Sequence, residues 1–147
     1  MTAGLPAQTL ARLRRLLLVL LLVGTSGTAA ELWLMGHHED PWQWAPLVVL
    51  VATAGASAWV LSRWSPGAVR VLRICLGALV VSGLIGAVLH YRANMEFQLE
   101  MDASLGGIAL MMKVLHAKAP PALAPGNMAL LGLVGLAAVW RSGKSDV

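Results

Sequence analysis

Three histidines and one glutamate could carry chemistry in this chain. His37 and His38 follow the first long apolar run, His90 ends a later one, and Glu31 lies inside the first. Imidazole and carboxylate groups are common ligands of transition metals, and two imidazoles can hold a haem iron. Glu31, His37, His38 and His90 are therefore a candidate metal site, with haem or quinone as alternative cofactors.

Each of these residues also has an ordinary structural interpretation. The histidines lack the H-x-x-x-H spacing of two ligands on one helix, and can instead hydrogen-bond to backbone or water. An acidic residue inside a membrane span costs about 2.5–3.5 kcal/mol unless it is paired, protonated or hydrated. Glu31 is thus either a proton-carrying group or ligand, or a structural polar group with Arg92 or a histidine as its partner.

A second group of polar residues follows His90. Glu96, Glu100 and Asp102 are acidic and could form a solvated face or a docking strip for a basic partner. We expect a polar cap on the helices, built from Arg92, Asn94, Glu96 and His116.

The elements that position these residues are apolar segments. Hydrophobic residues make up 58% of the chain and charged residues 12%, against about half and about a quarter in ordinary globular domains. The charges are clustered, which is typical of membrane spans. The sequence predicts an all-α, polytopic membrane protein with a four-transmembrane-helix bundle; the spans cover about 14–36, 45–62, 73–91 and 125–141.

The first segment also has features of a signal peptide. Basic residues precede a leucine-rich run that ends in small residues. Thr28 is bulky for the position three residues before a cleavage site, and the apolar run continues through 32–35. We therefore expect a retained span.

The charges also predict an orientation. One set of connections and both termini carry a net charge of +7, and the opposite set carries −3. Cytoplasmic connections of membrane proteins are enriched in lysine and arginine. We expect a bacterial-type inner-membrane protein with cytoplasmic N- and C-termini and with the histidines on the outer, periplasmic side.

Small residues predict which helix faces pack, because they allow close approach of helices in lipid. In the third span the predicted ridge is Ala78, Ser82, Gly86 and His90. In the first it is Gly24, Gly27, Thr28, Glu31, Met35 and His38. Such packing would bring Glu31, His38 and His90 together in the bundle.

The segment 92–124 is the longest connection. Apolar residues recur at helical spacing from Leu105 to Leu115. This pattern predicts an extra amphipathic helix lying in the outer membrane interface. A re-entrant hairpin at Gly106 and Gly107 is the alternative.

The sequence contains no phosphate loop, nucleophile elbow, metalloprotease motif or dinucleotide fingerprint. It also lacks the basic and aromatic surface of a nucleic-acid-binding protein. We therefore predict a non-catalytic accessory or assembly subunit of a larger membrane complex, or a homo-oligomer, in contact with the lipid bilayer. A membrane protein that binds metal, haem or quinone, and a proton-coupled small transporter using Glu31, are the alternatives.

Overall fold

The computed structural model describes residues 4–117 and 123–140, with side chains from residue 8 onward. All regular secondary structure in these ranges is helical. The elements are α1 (Gly4–Leu34), a short 3-10 helix (Pro41–Gln43), α2 (Trp44–Ser62), α3 (Pro66–Met101), α4 (Gly107–Leu115) and α5 (Ala124–Ala138).

Three of the described helical stretches are long and apolar enough to cross a membrane: Gln8–Leu34, Pro41–Ser62 and Pro66–Met101. Helix α5 is also apolar but has only 15 residues, which at about 1.5 Å each gives about 22 Å. The all-helical prediction is therefore confirmed for the described residues, and three of these helices could cross a membrane, while the fourth predicted span corresponds to a shorter helix.

Local signals explain where the helices begin and end. Ser65 caps α3 by accepting a hydrogen bond from the N–H of Ala68 (3.2 Å), and Pro66 occupies the first turn, where its missing N–H leaves no bond unmade. Helix α3 then continues to Met101, well past the predicted end of the third span near residue 91. No glycine or proline interrupts residues 87–105, which accounts for the extra length.

The helices pack as neighbours in an antiparallel order. Helix α1 contacts α2 and α5, and α3 contacts α2, α4 and α5. One apolar core joins α1, α2, α3 and the end of α5, with Leu21, Val60 and Leu76 among its buried members. A second core joins Leu32, Leu50, Leu79 and other residues nearer the histidines.

Glycines allow α3 and α5 to approach most closely. A Cβ atom on Gly83 would lie 2.6 Å from the backbone oxygen of Pro125 and 2.8 Å from the backbone nitrogen of Ala129. A Cβ atom on Gly132 would lie 3.0 Å from the backbone oxygen of Leu76. We call this contact the α3–α5 seam. Its backbones are close enough to exclude even a methyl group.

The buried ridge of α3 differs from the predicted one. Leu72, Leu76, Leu79 and Gly83 are buried, whereas Ala78 is exposed. The half-buried Gly86 and His90 continue the buried ridge at alternating steps of three and four residues. The predicted ridge was therefore wrong at Ala78, although it included Gly86 and His90.

The buried ridge of α1 also differs. Its buried members are Leu18, Leu21, Thr25, Thr28 and Leu32. Glu31, Gly27 and Met35, which were predicted to face the other helices, are exposed. Large leucines cover more apolar surface than glycine and alanine, so the ridge that contains them turns inward.

Candidate functional site

A tight turn positions the first two histidines directly after α1. Gly36 has a φ of +73°, in the left-handed region that favours glycine. The N–H of Gly36 donates to the carbonyl of Trp33 (3.1 Å), and the N–H of His37 donates to that of Leu32 (2.9 Å). This is the hydrogen-bond pattern of a Schellman motif, so the backbone of His37 is anchored to the end of α1.

The turn between α1 and α2 is closed by a second set of hydrogen bonds. The side chain of Asp40 accepts from the N–H of Trp42 (3.3 Å), and the side-chain oxygen of Gln43 accepts from the N–H of Asp40 (3.3 Å). Such a reciprocal capping box satisfies donors that would otherwise lack a partner at a helix start. The segment that carries His37 and His38 is thus held at both ends.

The structure brings His37 next to His90 of α3. Their ring centroids are 6.3 Å apart and their planes differ by 16°. Both residues are half-buried. Burial, and to a lesser degree the charge of His90, lowers the pKa of His37 below its ordinary value. The neutral imidazole of His37 is therefore favoured, and it has a lone pair available to a ligand.

His38 lies against a different set of side chains. Its ring is stacked on Trp33 at a centroid distance of 4.4 Å and an interplanar angle of 8°. The indole Nε1 of Trp44 donates to the carbonyl of His38 at 3.0 Å. The Nδ1 atom of His38 is buried and has no hydrogen-bond partner. The two adjacent histidines thus have separate surroundings.

Glu31 does not join either group, because its side chain is exposed on α1. Among the described residues no three or more His, Cys, Asp or Glu side chains form a group that could hold a metal ion. The pair His37–His90 therefore replaces the expected convergence of Glu31, His38 and His90. No family model, no curated protein and no solved structure matches this chain.

The residues of the predicted polar cap lie along α3 and beyond α4. Arg92 and Glu96 are exposed, and Asn94 is half-buried. His116, also exposed, follows α4, and its Nδ1 lies 2.8 Å from the carbonyl oxygen of Met112. His116 thus contacts its own helix, while His90 lies beside His37 of the α1–α2 connection.

The turn from α3 to α4 has its own polar network. The carboxylate of Asp102 accepts from the hydroxyl of Ser104 (2.6 Å) and from its N–H (3.0 Å). These two bonds, the hydroxyl first, lower the pKa of Asp102, with a smaller contribution from the charge of Lys113. The turn is therefore stabilised with Asp102 ionised.

The opposite end of the helices is rich in arginine. Arg73 of α3 donates to the carbonyl of Val139 (2.7 Å), and Arg14 of α1 donates to that of Trp140 (3.2 Å). Cations are favoured at a helix C-terminus, where carbonyl groups lack intrahelical partners. The bonds fix the end of α5 beside the basic parts of α1 and α3.

One polar contact between helices was not predicted from the sequence. The side-chain amide of Asn127 on α5 donates to the hydroxyl of Thr28 on α1 at 2.9 Å. A single amide within an otherwise apolar run is a recognisable signal, because such side chains often hydrogen-bond across helices in membranes. This bond links α1 and α5 near the histidine end.

Proposed function

We propose that this protein is a small, four-span integral membrane protein that acts as a non-catalytic accessory or assembly subunit of a larger membrane complex. The supporting observation is a helical hairpin formed by the end of α3 and by α4. Its apolar side chains are exposed, and this part of α3 lies beyond the length that a membrane span needs. We call residues 94–117 the outer hairpin.

The proposal treats α5 as the fourth span. Its start lies beside Gly83 and Gly86 of α3, and its end is bound by Arg73. Residues 123–140 would extend over about 27 Å if helical throughout, close to the hydrocarbon thickness of about 30 Å. Close packing on α3 supports a membrane position for this helix, although it is short.

The proposed location is a bacterial-type inner membrane with both termini in the cytoplasm. Arg14 of α1 donates a hydrogen bond to the carbonyl of Trp140, just after α5. The N-terminal part of α1 and the C-terminal end of α5 therefore lie at the same end of the helices. That end carries the arginines, and basic residues favour the cytoplasmic side. The histidines and the outer hairpin would then face the periplasm.

The length of α3 supports a position of the outer hairpin outside the hydrocarbon region. Helix α3 has 36 residues, which at about 1.5 Å each span about 54 Å. In this proposal the first turns of α3, with Arg70 and Arg73, lie at the inner interface, which basic residues favour. About 20 residues then cross the hydrocarbon core, which ends near Ala93. Phe97 and Met101 lie beyond that level.

The outer hairpin exposes more apolar surface than a solvated tip would need. Phe97 is 57% exposed, Met101 72% and Ile108 76%. Contiguous apolar patches on a surface mark sites of protein or membrane interaction. Glu96, Glu100 and Asp102 lie among these residues. Charge complementarity therefore favours a membrane-protein partner with a basic outer surface.

Photo-crosslinking in cells tests this proposal. A benzophenone amino acid placed at Phe97 should give one discrete protein adduct, whereas the same group at the exposed Val81 within the span should not. The double change Glu96→Lys and Glu100→Lys should abolish the adduct because it makes the patch basic. The matched change Glu39→Lys, in the α1–α2 connection, should leave it unchanged.

Two results would contradict the proposal. Adducts to lipid alone from position 97 would mean that the outer hairpin lies in the membrane interface, as an amphipathic helix can. Equal protein adducts from positions 97 and 81 would mean that the contact is not specific to the hairpin.

A further inference from the structure

We propose that a groove between α1 and the end of α5 binds one anionic phospholipid, with its phosphate at Arg14 and part of one acyl chain along the leucines of α1. The groove lies at the arginine-rich end of the helices. The inference uses the proposed membrane position of the chain, but it is independent of the partner at the outer hairpin, which lies at the opposite end.

The two walls of the groove are apolar and differ in side-chain size. Leu10, Leu13 and Leu17 recur at helical spacing on one face of α1. Ala137 and Ala138, in the last turn of α5, form the opposite wall. Between these walls lies a volume of about 360 Å³, towards the lower end of the about 300–1,000 Å³ that is usual for small-molecule sites. We call this space the α1–α5 groove.

The α1–α5 groove is open along one side. Leu10 and Leu13 are 47% and 50% exposed, although they line a groove. A concave, mostly apolar surface with a few polar groups at its edge is the usual form of a small-molecule site. An acyl chain is narrow and apolar, so a segment of one chain matches these walls.

Arg14 and Trp140 provide the polar edge of the groove. The guanidinium of Arg14 donates to the carbonyl of Trp140 at 3.2 Å, and both residues line the groove. Guanidinium groups match the geometry of phosphate oxygens. The indole of Trp140 is exposed, and tryptophan is enriched at the level of lipid headgroups. The two side chains therefore mark the level of a lipid phosphate.

The charge at this end of the helices favours an anionic lipid. Arg12 and Arg15 are exposed on the same turn of α1 as Arg14, and Arg73 binds the same end of α5. The acidic residues of the described chain all lie towards the opposite end of the helices. Basic pockets between membrane helices on the cytoplasmic side bind anionic headgroups. Charge complementarity thus selects an anionic over a zwitterionic phospholipid.

Native mass spectrometry of the delipidated full chain in detergent tests the site by counting bound lipids. The probes are dioleoyl phosphatidylglycerol and dioleoyl phosphatidylcholine, which share their acyl chains. We expect one phosphatidylglycerol per chain, bound at least about five-fold more tightly than phosphatidylcholine, the effect of one basic residue near an anionic surface. Glycerol phosphate, which has no acyl chain, should not compete.

Two pairs of variants separate the roles of charge and groove. Arg14→Gln should weaken phosphatidylglycerol binding about five-fold and leave phosphatidylcholine unchanged. Arg63→Gln, at the end of α2, should have a smaller effect because Arg63 does not line the groove. Ala137→Phe should weaken both lipids several-fold by filling the groove. Ala78→Phe is its matched control, because Ala78 is exposed on α3 and lies outside the groove.

Three results would overturn the proposal. Equal affinity for the two lipids would show that the arginines do not select the headgroup. Competition by glycerol phosphate would show that the arginines bind a phosphate group without the groove. Unchanged binding in Ala137→Phe would show that the lipid lies elsewhere. This last variant leaves Arg14 and its bond to Trp140 in place, and circular dichroism confirms that each variant is folded.

Discussion

Helix α3 meets its neighbours in two contrasting ways. Against α5 it forms the seam at Gly83 and Gly132, where the two backbones leave no room for a methyl group. Against the α1–α2 connection it places His90 beside His37, with 6.3 Å between ring centroids. Close packing gives stability and tolerates little change, whereas a contact between two half-buried side chains leaves more room for substitution. The contrast separates the part of α3 that holds the fold from the part that carries polar side chains at the end of the helices.

The seam should be the position most sensitive to substitution. Gly83→Val places atoms where the backbone of Pro125 and Ala129 already lies, so α5 must move. We expect a loss of about 3 kcal/mol in the free energy of unfolding, the upper end of the usual overpacking cost. Reversible unfolding in mixed micelles, monitored by circular dichroism, measures it.

Gly77→Val is the matched control on the same helix, because a Cβ atom on Gly77 would meet nothing within 4 Å. It should change the free energy of unfolding by less than about 0.5 kcal/mol, as most substitutions without contacts do. Equal losses for the two variants would mean that α3 and α5 are not packed through the seam.

The hydrogen bond between Asn127 and Thr28 should have an intermediate effect. Asn127→Leu removes the donor and leaves the buried hydroxyl of Thr28 without this partner. Interhelical hydrogen bonds in membrane proteins contribute about 0.6 kcal/mol on average and about 1.7 at most. We expect a loss in this range.

A double-mutant cycle gives the contribution of the pair itself. Asn127→Leu should be coupled to Thr28→Val and uncoupled from Thr25→Val, because the hydroxyl of Thr25 donates to the carbonyl of Leu21 in its own helix at 2.8 Å. Coupling of equal size with both threonines would contradict a specific bond between α1 and α5.

The sequence predicted the class of structure because that class depends on composition. Long apolar segments and clustered charges are visible without any knowledge of packing, and three of the described helices are long and apolar enough to cross a membrane. The rotation of each helix depends on which side chains bury most area. The small-residue pattern therefore placed Glu31 inward, whereas the leucines of α1 turn it outward.

The partners of the histidines could not be predicted for a related reason. Helix α1 ends in a turn at Gly36, which has a φ of +73°. This turn places His37 beside His90 and His38 against Trp33. Sequence spacing identified these residues as candidates, but only the geometry of the turn decides which of them meets α3.

The smallest expected effect lies in the turn between α3 and α4, where polar contacts are local. Ser104→Ala removes the hydroxyl that donates to Asp102 at 2.6 Å. The pKa of Asp102, which is lowered from 3.8 in the folded protein, should rise towards that value but not reach it, because the N–H of Ser104 still donates. A carboxyl group whose pKa is lower in the folded than in the unfolded protein stabilises the fold at pH above its unfolded pKa. This stabilisation is lost as the pH falls through its folded pKa. Any effect on folding is therefore confined to pH below about 4.

Carboxyl carbon chemical shifts in a pH titration measure the pKa of Asp102, and Lys113→Ala should shift this pKa less than Ser104→Ala. The reverse order would show that charge attraction from α4, rather than the turn itself, keeps Asp102 ionised.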